Sequence, residues 1–509
     1  MDDIYKKILP IEELAKVCSK LKSKGKKIVH CHGVFDLLHP GHIYHFKASK
    51  KKGDVLVVTI TPDEYVNKGP GRPVFNHRLR AESVAAIECV NYVAVNKWPT
   101  AVEAIKLLKP SVYAKGRDYL QREDDITGKI YEEEQAIKSI GGTIHFTDEI
   151  SFSSTNLLNL HFNIFPEETK QFLNKFKKRH SADSIIGYLK KLKNMKILVV
   201  GDAIIDEYHY CVGMGKSQKD NIIAARFVNK EIFNGGALAV ASHIANFCNR
   251  VDLVTVLGKE NSYEEFIAKA LNKNIRRKFF LRDGSPTVVK QRFLDPSFLD
   301  KMLEIYHIED SMILPQLEGK IISYLGKRIK DYDLVIIADF GHGLLTPDLI
   351  KMLCKKAKFL AVNVQTNSAN RGFNLTIKYP RADYICIDEP ELRLAVHDKF
   401  CDLKEAIRKL IKDIDCSHIV ITRGHHGSVG YSAKNGFVSV PVFSKEVVDR
   451  IGAGDAFLSL TAPLAKLGYS TEVINFVGNA VGALAVLIVG NRSFVEPVSL
   501  YKYISTLLK

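Results

Sequence analysis

The ten residues Gly33-Val34-Phe35-Asp36-Leu37-Leu38-His39-Pro40-Gly41-His42 set two imidazoles on either side of a glycine. They follow a short β-rich run and lead into a helical pattern. A strand that ends in glycine and turns into a helix aims backbone N–H groups, and the positive end of a helix dipole, at an anion. With only a proline and a glycine between them, His39 and His42 can both approach one phosphate. Nucleotidyl transfer needs donors for the charge that builds on the α-phosphate and the departing pyrophosphate, and this pair supplies them. A second string, Asp449-Arg450-Ile451-Gly452-Ala453-Gly454-Asp455-Ala456-Phe457, stands near the C-terminus. Its Gly452-Ala453-Gly454 segment forms an anion hole from backbone amides. Asp455, at the mouth of an apolar helix, is placed to take a proton from a substrate hydroxyl during γ-phosphoryl transfer. As a plain helix cap the same aspartate would contribute about 1 kcal/mol, but further motifs accompany it.

These residues need strands and helices to hold them. Between Lys26 and Phe146, β-rich runs (27–30, 55–60, 92–95, 112–115, 143–146) alternate with helical spacing at 43–52, 78–88 and 101–108. That order predicts a parallel sheet covered on both faces. A second alternation begins at Lys196, with strands expected at 196–200, 252–257, 334–338, 359–364, 384–387 and 418–422. The fold class expected is therefore α/β, two doubly wound domains in tandem: residues 1–165, a charged helical linker over 166–194, and residues 195–509.

Composition fits two folded domains: 509 residues, 46% hydrophobic and 26% charged. The net charge of +16 suits polyanionic phosphate substrates. It does not read as nucleic-acid binding, because the basic runs lack interleaved aromatics. Nine scattered cysteines without a CxxC exclude a disulfide framework and a structural zinc site. No run approaches the roughly 18 apolar residues of a membrane span, and the N-terminus does not read as a signal peptide. A cytoplasmic enzyme with no membrane partner is expected.

On these motifs the N-terminal part resembles the HxGH cytidylyltransferase-like nucleotidyltransferases. Lys68-Gly69-Pro70-Gly71-Arg72-Pro73 resembles that family's basic loop, Arg78 the arginine opening the next helix, and Lys115-Gly116-Arg117-Asp118-Tyr119 its KGxDY segment. Ser153-Ser154-Thr155-Asn156 resembles the hydroxyl-rich helix start that closes on the nucleotide. The resemblance implies His39, His42 and Lys115 as catalytic residues, and Gly33, Phe35, Asp36, Gly41, Arg72, Ser153, Ser154 and Thr155 as nucleotide contacts. His32 and Phe152 depart from the usual pattern. The C-terminal part resembles the ribokinase-like (PfkB) carbohydrate kinases through Gly201-Asp202-Ala203-Ile204-Ile205-Asp206, Asn234-Gly235-Gly236-Ala237 and the Asp455 string. This implies Asp455 as catalytic base and Asp202, Asp206, Asn234, Gly235, Gly236 and Lys290 around the sugar. Nucleotide contacts would come from Thr422, Gly424, Gly452, Ala453, Gly454 and Asn479. Asp388-Glu389-Pro390-Glu391 resembles the NxxE segment, so Glu391 would organise Mg²⁺ through water. Residues 207–233 would form a β-lid, through which a homodimer is expected.

Together the halves resemble the bifunctional heptose-phosphate kinase/adenylyltransferases that make ADP-heptose, in reversed domain order. Pro286-Thr287-Val288-Val289-Lys290 and Asp339-Phe340-Gly341-His342-Gly343 carry that likeness. The activity implied is phosphorylation of a sugar or sugar phosphate by ATP, then transfer of a nucleotidyl group to a sugar phosphate with release of pyrophosphate. The nucleotidyl donor is ATP or CTP. The alternative is a kinase/cytidylyltransferase making a CDP-activated polyol or amino-alcohol phosphate.

Overall fold

Val55-Leu56-Val57-Val58-Thr59-Ile60 is buried at every position, with no alternation. A strand that is apolar on both sides must be covered on both faces, as in a parallel sheet between helical layers. The computed structural model describes residues 2–66, 73–116, 129–147, 165–309, 311–444 and 446–509. The chain divides into two units, Met1–Pro166 with Tyr501–Lys509, and Glu167–Leu500.

In the first unit, β1 (Ile28–Gly33), β2 (Val55–Ile60), β3 (Tyr92–Val95), β4 (Val112–Gly116) and β5 (Thr143–Thr147) form a sheet in the order β3-β2-β1-β4-β5. Every pairing is parallel. Helices Pro40–Lys50 and His77–Ala85 bury Phe46 and Val84 on one face. Helices Ile11–Ser23 and Val102–Leu108 bury Leu14 and Ala104 on the other. Strand order reverses between β1 and β4, so a crevice opens beyond their carboxyl ends. The arginine held there is not Arg78, which is exposed and pairs with Glu82, but Arg80. Its buried guanidinium donates to the carbonyls of Phe75, Val34 and Thr61 and to Asp63.

The second unit adds, in chain order, β6 (Ile197–Gly201), β7 (Ala203–Lys216), β8 (Ile223–Gly236), β9 (Val251–Glu260), β10 (Ile275–Pro286), β11 (Val288–Leu294), β12 (Lys301–His307), β13 (Leu334–Asp339), β14 (Leu360–Val364), β15 (Arg381–Ala382), β16 (Tyr384–Asp388), β17 (Asp415–Cys416), β18 (His418–Thr422), β19 (Ser428–Ser432) and β20 (Gly436–Val440). Its main sheet runs β10-β9-β6-β13-β14-β16-β18-β19-β20, and β12-β11-β7-β8 forms a separate four-stranded sheet. The β-lid expected at 207–233 is thus the middle of a hairpin spanning 203–236, joined by two strands from further along the chain. Sequence spacing did not announce those two. Ile223, Phe227 and Leu303 stand exposed on this sheet, at 73%, 56% and 56% of their surface.

Residues 166–194 are charged and helical, as their composition predicts, but they pack instead of merely bridging. Helix Glu167–Phe176 buries Leu173 and Phe176. The Phe176 ring stacks on Phe476 with centroids 4.2 Å apart, and Arg179 pairs with Glu472 at 2.6 Å. Phe176→Ala should therefore destabilise the second unit by about 3–5 kcal/mol, the cost of emptying a buried aromatic site. Denaturant unfolding of the full chain measures this: the second unit's transition should shift to lower denaturant, and the first unit's should not move.

Candidate active sites

In the first unit the helix Pro40–Lys50 begins where the sequence places it, with Pro40 in its first turn and His39 as its N-terminal flanking residue. Gly41 follows in the first turn. The His39 and His42 rings stack with centroids 3.8 Å apart, which puts both imidazoles side by side at the helix start. Phe35 turns its ring into the core. Its backbone is left-handed (φ 46°), and its ring is buried against Phe46 and the edge of His42. Gly33 is required for that turn, since a Cβ there would stand 2.9 Å from the Phe35 ring. Asp36 is also turned inward, accepting from the backbone N–H of Val74 and Phe75 at 2.9 and 3.0 Å. It fixes the start of the segment leading to helix His77–Ala85. Arg72, Ser153, Ser154 and Thr155 lie outside the described residues.

Lys115, at the end of β4, is buried and paired with Glu133 at 2.8 Å. Glu133 was not legible in the sequence, because it arrives from helix Lys129–Ser139, remote from any motif. Nearby His45 bonds Thr147, and burial with the charge of Lys115 drives its pKa down to about 4. His30, behind the crevice, is held neutral by burial in the same way, at about 3.

In the second unit, catalytic candidates gather at the roots of the lid strands and at the start of the helix that carries Asp455. Asp206 on β7 lies opposite Lys290 on β11 in the parallel register and forms a buried ion pair with Arg292. Arg292 also reaches Glu304 at 2.7 Å. Gly235 has no room for a side chain, because a Cβ would lie 2.2 Å from the Asp206 carboxylate. Gly236 takes φ +57° and leads directly into the buried helix Ala237–Ala245. Lys290 is buried, its ammonium 5.2 Å from the Tyr306 ring and 5.8 Å from that of Phe340. Burial lowers its pKa, and Asp206 opposes the shift. Asp455, in the first turn of helix Ala453–Lys466, is pushed up to about 7 by burial and then by the Asp206 charge, with Lys290 pulling it down. A carboxylate poised near neutrality suits a general base.

Gly452 sits at φ +81°, and Ala453 and Gly454 open the helix beside it. Asp449 anchors this loop. Its carboxylate accepts from Tyr208 Oη (2.5 Å), Lys301 Nζ (2.9 Å), Ile451 N (3.2 Å) and Gly490 N (2.9 Å). Asp202 is committed elsewhere, accepting from the backbone N–H of Phe340 and His342 at 2.9 and 3.2 Å. It shapes the turn after β13. Asn479 donates to Ser428 Oγ and to the Asn475 carbonyl within the core. Thr422 closes β18, and Gly424 opens the following turn at φ +55°.

Among the buried side chains left without a hydrogen-bond partner in the described residues are Asn234, with both amide atoms unpaired, and His342, with both ring nitrogens unpaired. They are 3% and 5% exposed. Unpaired polar atoms at this depth cost roughly 1–3 kcal/mol each, which a ligand's hydroxyls would recover. Asn234 pairs with Ile205, the residue before Asp206, across the β7–β8 ladder, and burial with the Lys290 charge keeps His342 neutral at about 3. The sequence carried His342 only as part of Asp339-Phe340-Gly341-His342-Gly343.

Asp388 and Glu391 form a capping box at the start of helix Glu389–Ala395. The two oxygens of Glu391 accept from Thr366 N and Asp388 N at 3.0 and 2.8 Å. Neither carboxylate has an ion-pair partner among the described residues, and burial raises both pKa values, with the Asp388 charge adding to the rise at Glu391 and the Glu389 charge to that at Asp388. Such a pair fits a hydrated Mg²⁺, which keeps most of its waters and takes few direct protein ligands.

Comparison with known proteins agrees with this architecture. A profile described as cytidylyltransferase-like matches residues 30–160. Among curated relatives, the bifunctional protein HldE of Campylobacter jejuni subsp. jejuni serotype O:6 is 26% identical over 58% of this chain and 62% of its own. That of Aliarcobacter butzleri is 39% identical over 26% of this chain and 29% of its own. The chain thus spans less than two thirds of the length of these relatives. Phosphofructokinase-2 of Escherichia coli shares the fold of the larger unit, with a TM-score of 0.50 at 14% identity, covering 61% of this chain and 99% of that one. A profile described as pfkB family carbohydrate kinase matches residues 194–497, well over half the chain. The protein therefore belongs to the pfkB family of carbohydrate kinases and carries a cytidylyltransferase-like domain ahead of its kinase domain.

Proposed function

We propose that the chain is a bifunctional transferase that phosphorylates a sugar or sugar phosphate with ATP and joins a sugar phosphate to a nucleotidyl group, giving an ADP-heptose-like nucleotide sugar. The observation that carries the kinase half is the meeting of Asp455, poised near neutrality, with Asp206, Lys290 and the unpaired Asn234 and His342. The substrate hydroxyl gives its proton to Asp455 as its oxygen bonds to the γ-phosphorus, and ADP leaves. The amides of Gly452, Ala453 and Gly454 hold the transferring phosphoryl group. Mg²⁺, held through water by Glu391 with Asp388, would neutralise charge on the phosphates.

In the other half, a phosphate oxygen of the substrate attacks the α-phosphorus of the nucleoside triphosphate and pyrophosphate leaves. That oxygen is already ionised, so no base is needed. His39, His42 and the Glu133-held Lys115 then act by positioning and by meeting the developing charge. Relatives named bifunctional protein HldE support an adenylyl donor, and the cytidylyltransferase-like match keeps CTP as the alternative. The exposed apolar face of the lid supports a homodimer.

A sugar panel scored for ADP release, followed by pyrophosphate release with ATP and with CTP, tests the reading. Loss of neither activity in Asp455→Asn would refute it. That variant should lose about 10²–10⁴ in kinase rate and keep nucleotidyl transfer. His42→Ala should do the reverse, losing about 10²–10³ in the nucleotidyl-transfer kcat. The kinase kcat/KM should rise with pH on a limb governed by a group near 7, since Asp455 accepts a proton only when ionised. The stability effect has the opposite slope. A carboxyl whose folded pKa is raised loses its contribution as pH climbs towards 7. Asp455→Asn should therefore raise the melting temperature relative to wild type above neutrality and not in mild acid.

A further inference from the structure

The candidate groups of the kinase half reach the carboxyl edge of the large sheet, where Asp388 ends β16 and Thr422 ends β18. The amino edge of the same sheet holds a cavity of about 590 Å³, set between the starts of β6, β9, β10, β13 and β14. A five-residue strand such as β6 separates the two edges by about 16 Å. The cavity lies within one unit and shares no lining residue with the sites above.

Its lining is strongly one-signed. Lys196 precedes β6, Arg250 precedes β9, and Arg276 and Arg277 begin β10. Arg328, Lys330 and Lys358 come from the approaches to β13 and β14. Against these seven cations stand two carboxylates, Asp252 and Asp331. Asp252 is spent on Arg250, which it meets at 2.9 Å, and on the Tyr332 hydroxyl at 2.6 Å. Lys196, Arg276, Arg277, Lys330 and Lys358 form no ion pair among the described residues. Helix C-termini attract cations, and helices Pro315–Gly326 and Pro347–Lys356 end here. At about half a charge each, those ends account for Arg328, Lys330 and Lys358. They leave Lys196, Arg276 and Arg277, which begin strands, without a structural reason. Arg328 is further ordered by lying over the Tyr324 ring at 4.2 Å.

A concave wall of one sign concentrates counter-ions. The volume falls in the 300–1,000 Å³ range of small-ligand sites, whereas a duplex or extended strand would need an open stripe. We infer that this cavity is a second, non-catalytic binding site for the polyphosphate group of a small molecule such as a nucleoside triphosphate. Guanidinium groups from β10 and from the approach to β13 would grip the phosphate oxygens.

The test is residue-resolved modification of the full chain by phenylglyoxal, read by peptide mass spectrometry, with inorganic tripolyphosphate or ATP as protectant. At roughly ten times its dissociation constant, either should slow modification of Arg276, Arg277 and Arg328 about tenfold by mass action. Calorimetric titration of Arg276→Glu/Arg277→Glu with tripolyphosphate should lose one binding event relative to wild type, while both transferase rates persist. Equal protection by sodium sulfate at matched ionic strength would reduce the cavity to a screened surface and overturn the inference. Protection by ATP but not by tripolyphosphate would overturn the assignment to the polyphosphate group.

Discussion

The buried ion pair between Asp206 and Arg292 constrains the kinase half more than any other contact. Removing a carboxylate from water is costly unless a cation accompanies it, and here the cation comes from the next strand of the lid sheet. Three features follow. Gly235 must be glycine, because the Asp206 carboxylate fills the space of its Cβ. Lys290, two positions from Arg292 and paired with Asp206 in the register, can sink between Tyr306 and Phe340 because a carboxylate faces it. Burial lifts the Asp455 pKa towards neutrality, and the Asp206 charge adds to the rise.

The two units solve the same electrostatic problem differently. Each must hold a lysine amine in a dry place where a phosphate-bearing substrate would arrive. In the first, Lys115 is paired directly with Glu133. In the second, Lys290 has no ion pair at contact distance among the described residues and is balanced by several charges around it. The first arrangement fixes the direction of the amine, and the second leaves it free to turn towards a ligand.

Local motifs were legible because their chemistry is written in consecutive residues. Gly452-Ala453-Gly454-Asp455 and His39-Pro40-Gly41-His42 both open helices where the sequence puts them. The alternating runs likewise gave most strands of the two main sheets, but not β10 or the antiparallel edge strands β19 and β20. What sequence spacing could not show is which way a side chain turns. Phe35 and Asp36 stand inside a ligand-like string yet serve packing and a backbone anchor. Asp202 bonds two backbone amides across the sheet. Glu133 and His342 come to their sites through tertiary packing alone, so no spacing rule could find them. Strand β11 was hidden for a similar reason, because its partner β7 lies far back along the chain, and β12 pairs only with β11.

Asp449 joins, through one carboxylate, a tyrosine of β7, a lysine that begins β12, and the loop before Asp455. The lid and the anion hole are therefore not interchangeable modules. Recombination between relatives that exchanged the lid strands alone would leave Asp449 buried without Tyr208 or Lys301. A hybrid would inherit an uncompensated charge at the base of its phosphate-binding loop. Lineages of this fold can then vary the outer face of the lid freely, while its root must be passed on together with the loop it supports.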